Sequence, residues 1–246
     1  MIEFINLNKS YDNGRVQAVK NLNFKVNQGE IFGFLGPNGA GKTTTIKMIV
    51  GLLKPDSGSI LLNGIDNRKD PLSAKRTYGY VPDEPILYEK MTGAKYLSFI
   101  ADIFEVPDTD REIIKDLAAE FEMTEALNEV ISAYSHGMRQ KITLMAALIH
   151  QPEIFILDEP IVGLDPRSSF VLKERMKKYT EMGKTVFFST HVMEVAERLC
   201  DRVGIINKGE IIALGPFEEL RQKAGGSGDT LENLFLELTD ENFKTS

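Results

Sequence analysis

The stretch Gly36-Pro37-Asn38-Gly39-Ala40-Gly41-Lys42-Thr43-Thr44 decides how this chain folds. It has a glycine, four free positions, then glycine, lysine and a hydroxyl residue, the pattern of a phosphate-binding loop. Glycines at 36, 39 and 41 let the backbone curl so that amide N–H groups point inward, making a nest for polyphosphate oxygens. Lys42 adds a mobile positive charge, and the Thr43 hydroxyl suits a magnesium ion. A helix opening at Thr44 would present its positive dipole end to the same phosphates. The apolar run Ile31–Leu35 before the loop reads as a buried parallel strand, and Thr45–Val50 after it as a helix ended by Gly51. Strand, loop and helix therefore occur in the order that Mg-nucleotide binding requires.

The chain on either side supports an α/β fold. Ile2–Leu7 alternates apolar and polar residues as a half-exposed antiparallel strand does, a turn follows at Tyr11–Gly14, and Val19, Leu22, Phe24 and Val26 continue the strand pattern. A second small antiparallel layer is expected from Ser59–Gly64 after the turn Pro55–Gly58. Tyr78–Val81 reads as a short core strand stopped by Pro82. From Thr92 to about His150 apolar residues recur at helical spacing, among them Tyr96, Ile100, Phe104, Ile114, Leu117 and Phe121. That stretch reads as a helical subdomain inserted into the core, its last helix beginning near Ser135. The buried parallel sheet resumes at Ile154–Leu157 and at Thr185–Phe188, and Val203–Ile206 with Glu210–Leu214 reads as a closing pair. Gly225–Gly228 is expected to be a flexible linker, followed by a short helix with Leu231, Leu234, Phe235 and Leu238 on one stripe that packs back on its own domain.

Composition narrows the class. The 246 residues are 42% hydrophobic, enough for a packed interior in one large domain or a core with an insertion. Lys and Arg number 29 against 36 Asp and Glu, a net charge of −7 with no long basic run, so a nucleic-acid partner is not expected. No apolar stretch approaches the roughly 18 residues needed to span a bilayer, and the start lacks the form of a signal peptide. Cys200 is the single cysteine, which excludes a disulfide framework and fits a reducing cytoplasm.

The strand ending in Leu157 delivers Asp158 and Glu159 at its carboxyl end, where open α/β sheets bind ligands. Asp158 there can hold magnesium through water, and Glu159 can accept a proton from a water attacking the γ-phosphate. His191, at the tip of the next buried strand, can donate a hydrogen bond to that phosphate, although a lone histidine is also an ordinary structural residue. On spacing alone Tyr11 is a packing aromatic and Ser135 a helix N-cap.

Taken together, Gly36–Thr44, Ser135-His136-Gly137-Met138-Arg139-Gln140, Asp158-Glu159, Gly163-Leu164-Asp165 and His191 resemble the nucleotide-binding subunits of ATP-binding cassette (ABC) transporters over essentially the whole chain. The resemblance implies a P-loop NTPase (RecA-like) α/β core with a mostly parallel sheet, an N-terminal antiparallel β layer and an inserted α-helical subdomain. It places the ATPase domain at 1–220, with the core at about 1–82 and 152–220 and the insertion at about 83–151, before a C-terminal linker and short amphipathic helix at 221–246. The ligands it implies are ATP and Mg²⁺, with Thr43, Asp158 and Asp83 around the metal. Two such domains would close head to tail around two ATP molecules, each phosphate loop facing Ser135 and Gly137 of a second copy or a paralogue.

The family's signature motif runs leucine, serine, glycine, glycine, glutamine; Tyr134, His136 and Met138 depart from it here. Tyr11 matches the adenine-stacking aromatic, and Asp165 the loop that links the two sites. Asp83 stands where the family has a glutamine, and a carboxylate can ligate Mg²⁺ but does not donate a hydrogen bond unless protonated. Within the family the chain is most similar to subunits serving ABC-2 type exporters. A separate integral membrane permease is the implied partner, and the cytoplasmic face of the membrane the implied location. A soluble non-transport ABC-type ATPase and a non-hydrolytic regulatory module are the alternatives, a P-loop kinase a more distant one.

Overall fold

The computed structural model describes residues 1–223 and 230–239. The alternating N-terminal segments form β1 (Ile2–Tyr11) and β2 (Val16–Val26), antiparallel across a single 3₁₀ turn at Asp12–Gly14. Their apolar positions, including Phe4, Leu7, Leu22 and Phe24, are buried. The uniformly apolar β3 (Ile31–Leu35) is buried at every residue and leads through the phosphate loop into α1 (Lys42–Ile49). That helix begins two residues before the expected Thr44. Gly41 caps it in the left-handed region, and the Thr45 hydroxyl donates to the Gly41 carbonyl at 2.8 Å, stitching the first turn shut. Next come β4 (Ser57–Leu62), β5 (Ile65–Asp66), α2 (Pro71–Arg76) and β6 (Tyr78–Val81). Strands β1, β2, β4 and β5 make one antiparallel sheet in the order β2-β1-β4-β5, the small layer that the sequence predicts.

Helices α3 (Gly93–Ile103), α4 (Glu112–Glu120) and α5 (His136–Leu148) follow without a strand among them. Thr92 and Ser135 cap α3 and α5 by accepting hydrogen bonds from Lys95 N and Met138 N, as hydroxyl N-caps do. The chain continues through β7 (Ile154–Asp158), α6 (Pro166–Glu181), β8 (Thr185–Thr190), α7 (Met193–Leu199), β9 (Arg202–Asn207), β10 (Glu210–Gly215), α8 (Phe217–Lys223) and α9 (Leu231–Thr239). The second sheet has the order β10-β9-β3-β8-β7-β6, parallel from β9 to β6 with β10 antiparallel at its edge.

Both faces of this sheet are covered, which is why its strands are apolar without alternation. Phe32, Phe34, Ile156 and Phe187 face the antiparallel sheet, where Phe4, Phe24 and Phe187 pack ring against ring. Phe155, Leu157, Val186 and Phe188 point the other way, onto residues of α3 to α6 such as Leu97, Leu117, Ile142 and Met176. Truncating a buried ring such as Phe187 to alanine costs about 3–5 kcal/mol.

Strand order does most to build the site. Because β8 lies between β3 and β7, the carboxyl ends of all three bring the phosphate loop, Asp158-Glu159 and His191 to one rim of the sheet. At the C-terminal end, Leu231 and Leu234 of α9 are buried beside Met193 and Ala196 of α7, and Glu197 accepts a hydrogen bond from Leu231 N at 3.0 Å. The apolar stripe thus packs on its own chain. The expected linker at Gly225–Gly228 and the Leu238 side chain lie outside the described residues. Among the described residues no helix is long and apolar enough to cross a membrane.

Candidate active site

The phosphate loop is wedged between β9 and β2. A Cβ on Gly36 would lie 2.3 Å from the Ile206 carbonyl oxygen. One on Gly41, whose φ is +111°, would lie 2.4 Å from the Ala18 carbonyl oxygen. No side chain fits at either position without displacing backbone, so these two glycines fix the loop's path. Pro37, Asn38, Gly39 and Thr43 are exposed, Thr44 is half-buried, and Ala40 is buried with its carbonyl accepting from Gly209 N at 3.0 Å. Lys42 is 6% exposed; its Nζ donates to the Gly36 carbonyl at 2.7 Å and the Pro37 carbonyl at 3.3 Å.

Opposite it, Glu159 Oε1 stands 3.4 Å from Lys42 Nζ while Glu159 Oε2 faces His191 Nδ1 at 3.1 Å. The glutamate occupies the left-handed region at φ 48°, a conformation in which few non-glycine residues sit and one that turns its side chain out of the strand direction. Ser189 Oγ holds this turn: it accepts from Glu159 N at 3.1 Å and donates to Asp158 Oδ1 at 2.6 Å. Asp158 is buried, and its Oδ2 has no partner. Burial raises the Asp158 pKa above the usual carboxylate value; the Ser189 hydrogen bond and the nearby Thr43 hydroxyl oppose that rise, and the charges of Asp83 and Glu159 add to it. A buried carboxylate oxygen without a partner, beside a threonine hydroxyl, is the donor set a hard divalent cation takes up. No group of three or more His, Cys, Asp or Glu able to hold a metal occurs among the described residues, so such a cation would draw its remaining ligands from phosphate and water.

Asp83 is exposed just past β6 and lines a cavity of about 590 Å³ together with Thr43, Asp158, Tyr80, Phe104 and His150. The structure therefore brings the three expected metal-side residues to one cavity. The Tyr80 hydroxyl is pushed well above its usual pKa by burial, with the charges of Asp158 and Asp83 adding. His150 stacks on Phe104 with ring centres 3.7 Å apart and donates a hydrogen bond from Nε2 to the Tyr78 carbonyl at 3.0 Å. Its Nδ1 is buried without a partner, and burial lowers its pKa to about 4.

The other expected residues lie around this centre. Tyr11 ends β1, 41% exposed, opposite the still more exposed Val16 on β2; two residues further along β2, Ala18 touches the loop at Gly41. Ser135 is exposed at the start of α5 with its Oγ accepting from Met138 N at 3.3 Å, and Gly137 is half-buried behind it. His136 packs on Gly163, where an added Cβ would sit 2.4 Å from the imidazole, so the first turn of α5 abuts the loop after Glu159. Asp165 caps α6, accepting from Ser168 N at 2.9 Å and Ser168 Oγ at 2.6 Å, and pairs with Lys141 at 3.4 Å. Those Ser168 bonds, then the lysine charge, hold its carboxyl far below the usual range. Tyr134, the signature's first departure, is a core residue whose hydroxyl donates to the Ala126 carbonyl at 2.6 Å.

Sequence reading missed Ser189 and Val16. Ser189 is visible only as the polar end of a buried strand, and its role appears once β8 is known to pair with β7 at Asp158–Ser189. Val16 matters because the hairpin register sets it beside Tyr11.

The family model described as "ABC transporter" matches residues 19–162, more than half of the chain and the whole path from β2 past Glu159. This chain belongs to the ABC transporter family. Its relatives in Bacillus subtilis (strain 168) include the linearmycin resistance ATP-binding protein LnrL, 41% identical over 99% of this chain and 77% of LnrL. The ABC-type transporter ATP-binding protein EcsA from the same strain is 39% identical over 92% of each. Among solved structures, the ATP-binding subunit of an ABC transporter superposes with a TM-score of 0.92 at 33% identity, covering 97% of this chain and 99% of that one. A dimeric, post-hydrolysis cassette bound to ADP and Pi gives 0.80 at 25% identity over 88% and 98%. The fold is that of the family's P-loop ATPase cassettes.

Proposed function

We propose that this ABC transporter subunit binds ATP on Gly36–Thr44 and hydrolyses it with Glu159 as general base, in a head-to-tail dimer that drives a separate membrane permease. The observation that carries this reading is the placement of Glu159 between Lys42 and His191, directly after a buried Asp158 with a free oxygen. A base must lie within hydrogen-bond reach of the water it deprotonates and be oriented by a third group. His191 orients Glu159 here through Nδ1, and with both ring nitrogens protonated it can also donate to the γ-phosphate from Nε2. Lys42 is held by loop carbonyls that a polyphosphate replaces as acceptor, so the charge moves onto the β- and γ-phosphates as they enter. Thr43, Asp158 and Asp83 would hold Mg²⁺, which when bound neutralises charge on the phosphates. Tyr11, beside Val16, offers a ring face on which adenine stacks.

Ser135 and Gly137 support the dimer. They lie at a helix N-terminus, which attracts anions, with Ser135 exposed and Gly137 half-buried, and they would complete the phosphate site of a second copy or paralogue. The similar cassette solved as a dimer with ADP and Pi agrees with that arrangement. Asp165 would reach across the same interface from the start of α6. We take residues 83–151 as an inserted subdomain that moves against the core, and Asp83–Tyr88 as the segment that meets the permease at the cytoplasmic face of the membrane. Similarity to LnrL and EcsA favours export through an ABC-2 type permease.

Glu159→Gln tests the base. The variant should retain ATP and form a stable dimer while phosphate release falls by about 10²–10⁴-fold. Release at the wild-type rate overturns the assignment.

A further inference from the structure

The segment between β6 and α3 has no regular structure of its own, yet its far end is sewn to the residues that precede Ser135. Ser132 N donates to the Glu89 carbonyl at 3.0 Å, Ile131 N to the Met91 carbonyl at 2.9 Å, and Gly93 N to the Glu129 carbonyl at 3.1 Å. Thr92 and Val130 form an isolated antiparallel bridge. Side chains close the seam: Arg139, in the first turn of α5, places Nη1 2.8 Å from Glu89 Oε1 and Nε 3.4 Å from the Tyr134 carbonyl. The planar guanidinium thus spans two elements, holding the carbonyl immediately before Ser135 with one edge and the connecting segment with the other. A lysine has a single point of attachment and cannot do both.

We infer that Glu89 and Arg139 are a positioning pair that fixes Ser135 and Gly137 relative to the Asp83–Tyr88 segment, so that a displacement of one is passed to the other. Neither residue lines the cavity at Thr43, Asp83 and Asp158. The pair is partly solvated, with side-chain exposures of 27% for Arg139 and 57% for Glu89, so its loss leaves global stability nearly unchanged and loosens the local join. The inference deepens the proposed dimer, because the position of Ser135 matters to turnover only if a second copy uses it.

Two measurements test it, the first independent of the dimer. Backbone hydrogen exchange on the full chain without nucleotide should speed up about fivefold at 131–139 in both Glu89→Gln and Arg139→Gln, with melting temperature unmoved. The double variant should match Arg139→Gln alone, since the two act as one unit, and Arg139→Lys should fall between. Unchanged exchange at 131–139, or effects that add, overturns the pair. The second adds Glu89→Gln to Glu159→Gln and measures ATP-driven dimerisation by sedimentation. The midpoint concentration should rise about fivefold while ATP binding to the monomer is unaltered. An unshifted midpoint overturns the positioning role. A Glu159→Gln chain that fails to dimerise at all counts against the proposed function instead, and the exchange result still decides the pair.

Discussion

The rim of the parallel sheet and the start of α5, the two halves of the proposed site, are built in opposite ways. At the rim the central side chains are committed to one another, Lys42 to carbonyls and Glu159, Glu159 to His191, Asp158 through Oδ1 to Ser189, with Asp158 Oδ2 left over. Three adjacent strands supply these groups, and most are buried. At the start of α5 the Ser135 hydroxyl is exposed, and among the described residues its one side-chain hydrogen bond is the one that caps the helix. A preorganised, water-poor cluster suits chemistry, because its dipoles and charges need no rearrangement at the moment of reaction. An exposed helix terminus suits a surface completed from outside. The contrast teaches that, on the proposed function, one chain holds the chemical machinery and only half of the phosphate cradle.

Several substitutions break or sharpen that contrast. The largest effect belongs to the rim. Asp158→Asn keeps the shape and the Ser189 contact but removes the charge a divalent cation needs, so phosphate release should fall at least about a hundredfold. Nucleotide binding assayed without the metal should change little; titration of Mg²⁺ against fluorescent ATP separates the two.

The next lies at the joint, where His150 bridges Phe104 of the helical region and Tyr78 of the sheet. Its imidazole is neutral in the fold, with a pKa near 4 against 6.5 for a free side chain. Below pH 6.5 the unfolded chain gains a proton that the folded one refuses, so stability is full above that pH and falls as the pH drops toward 4. The shift corresponds to about 3 kcal/mol when fully expressed. Urea titrations at pH 7 and pH 4.5 should show a steeper acid loss for the wild-type chain than for His150→Gln; equal slopes would discard this histidine as the cause.

On the α5 side the effects are smaller and of a different kind. Ser135→Ala should leave ATP affinity of the isolated chain intact while turnover drops by roughly ten- to a hundredfold, the cost of one hydrogen bond to a charged group. If monomer affinity falls as well, the two halves are not separate. Tyr11→Ala, at the edge of the rim, should weaken ATP about tenfold through lost stacking and leave maximal turnover in place. Equilibrium binding alongside kcat distinguishes these outcomes.

Much of this contrast is legible in the sequence. Phosphate binding needs glycines at fixed steps, a lysine and a hydroxyl, and general-base hydrolysis needs a carboxylate at a strand end, so residue type and spacing single out candidates for both. What stays hidden depends on strand adjacency and on local backbone geometry. Nothing in Thr185–His191 announces that Ser189 lies opposite Asp158, since pairing is decided by topology. The start of α1 is misjudged by two residues because Gly41 caps through a left-handed turn that no propensity encodes. Asp165 reads as an inter-site residue by resemblance, whereas its first task here is to cap α6 through Ser168, a task plain in its spacing to Pro166 and Ser168.

Helix α9 has a consequence reaching beyond its own packing. It clasps α7 through Leu231, Leu234 and the Glu197 carboxylate, and α7 begins at Met193, next door to the histidine that steadies Glu159. The described part of the C-terminal helix is thereby anchored to the start of α7, where Met193 follows His191 by two residues, so a segment remote in sequence from the phosphate loop is seated beside the histidine that faces Glu159.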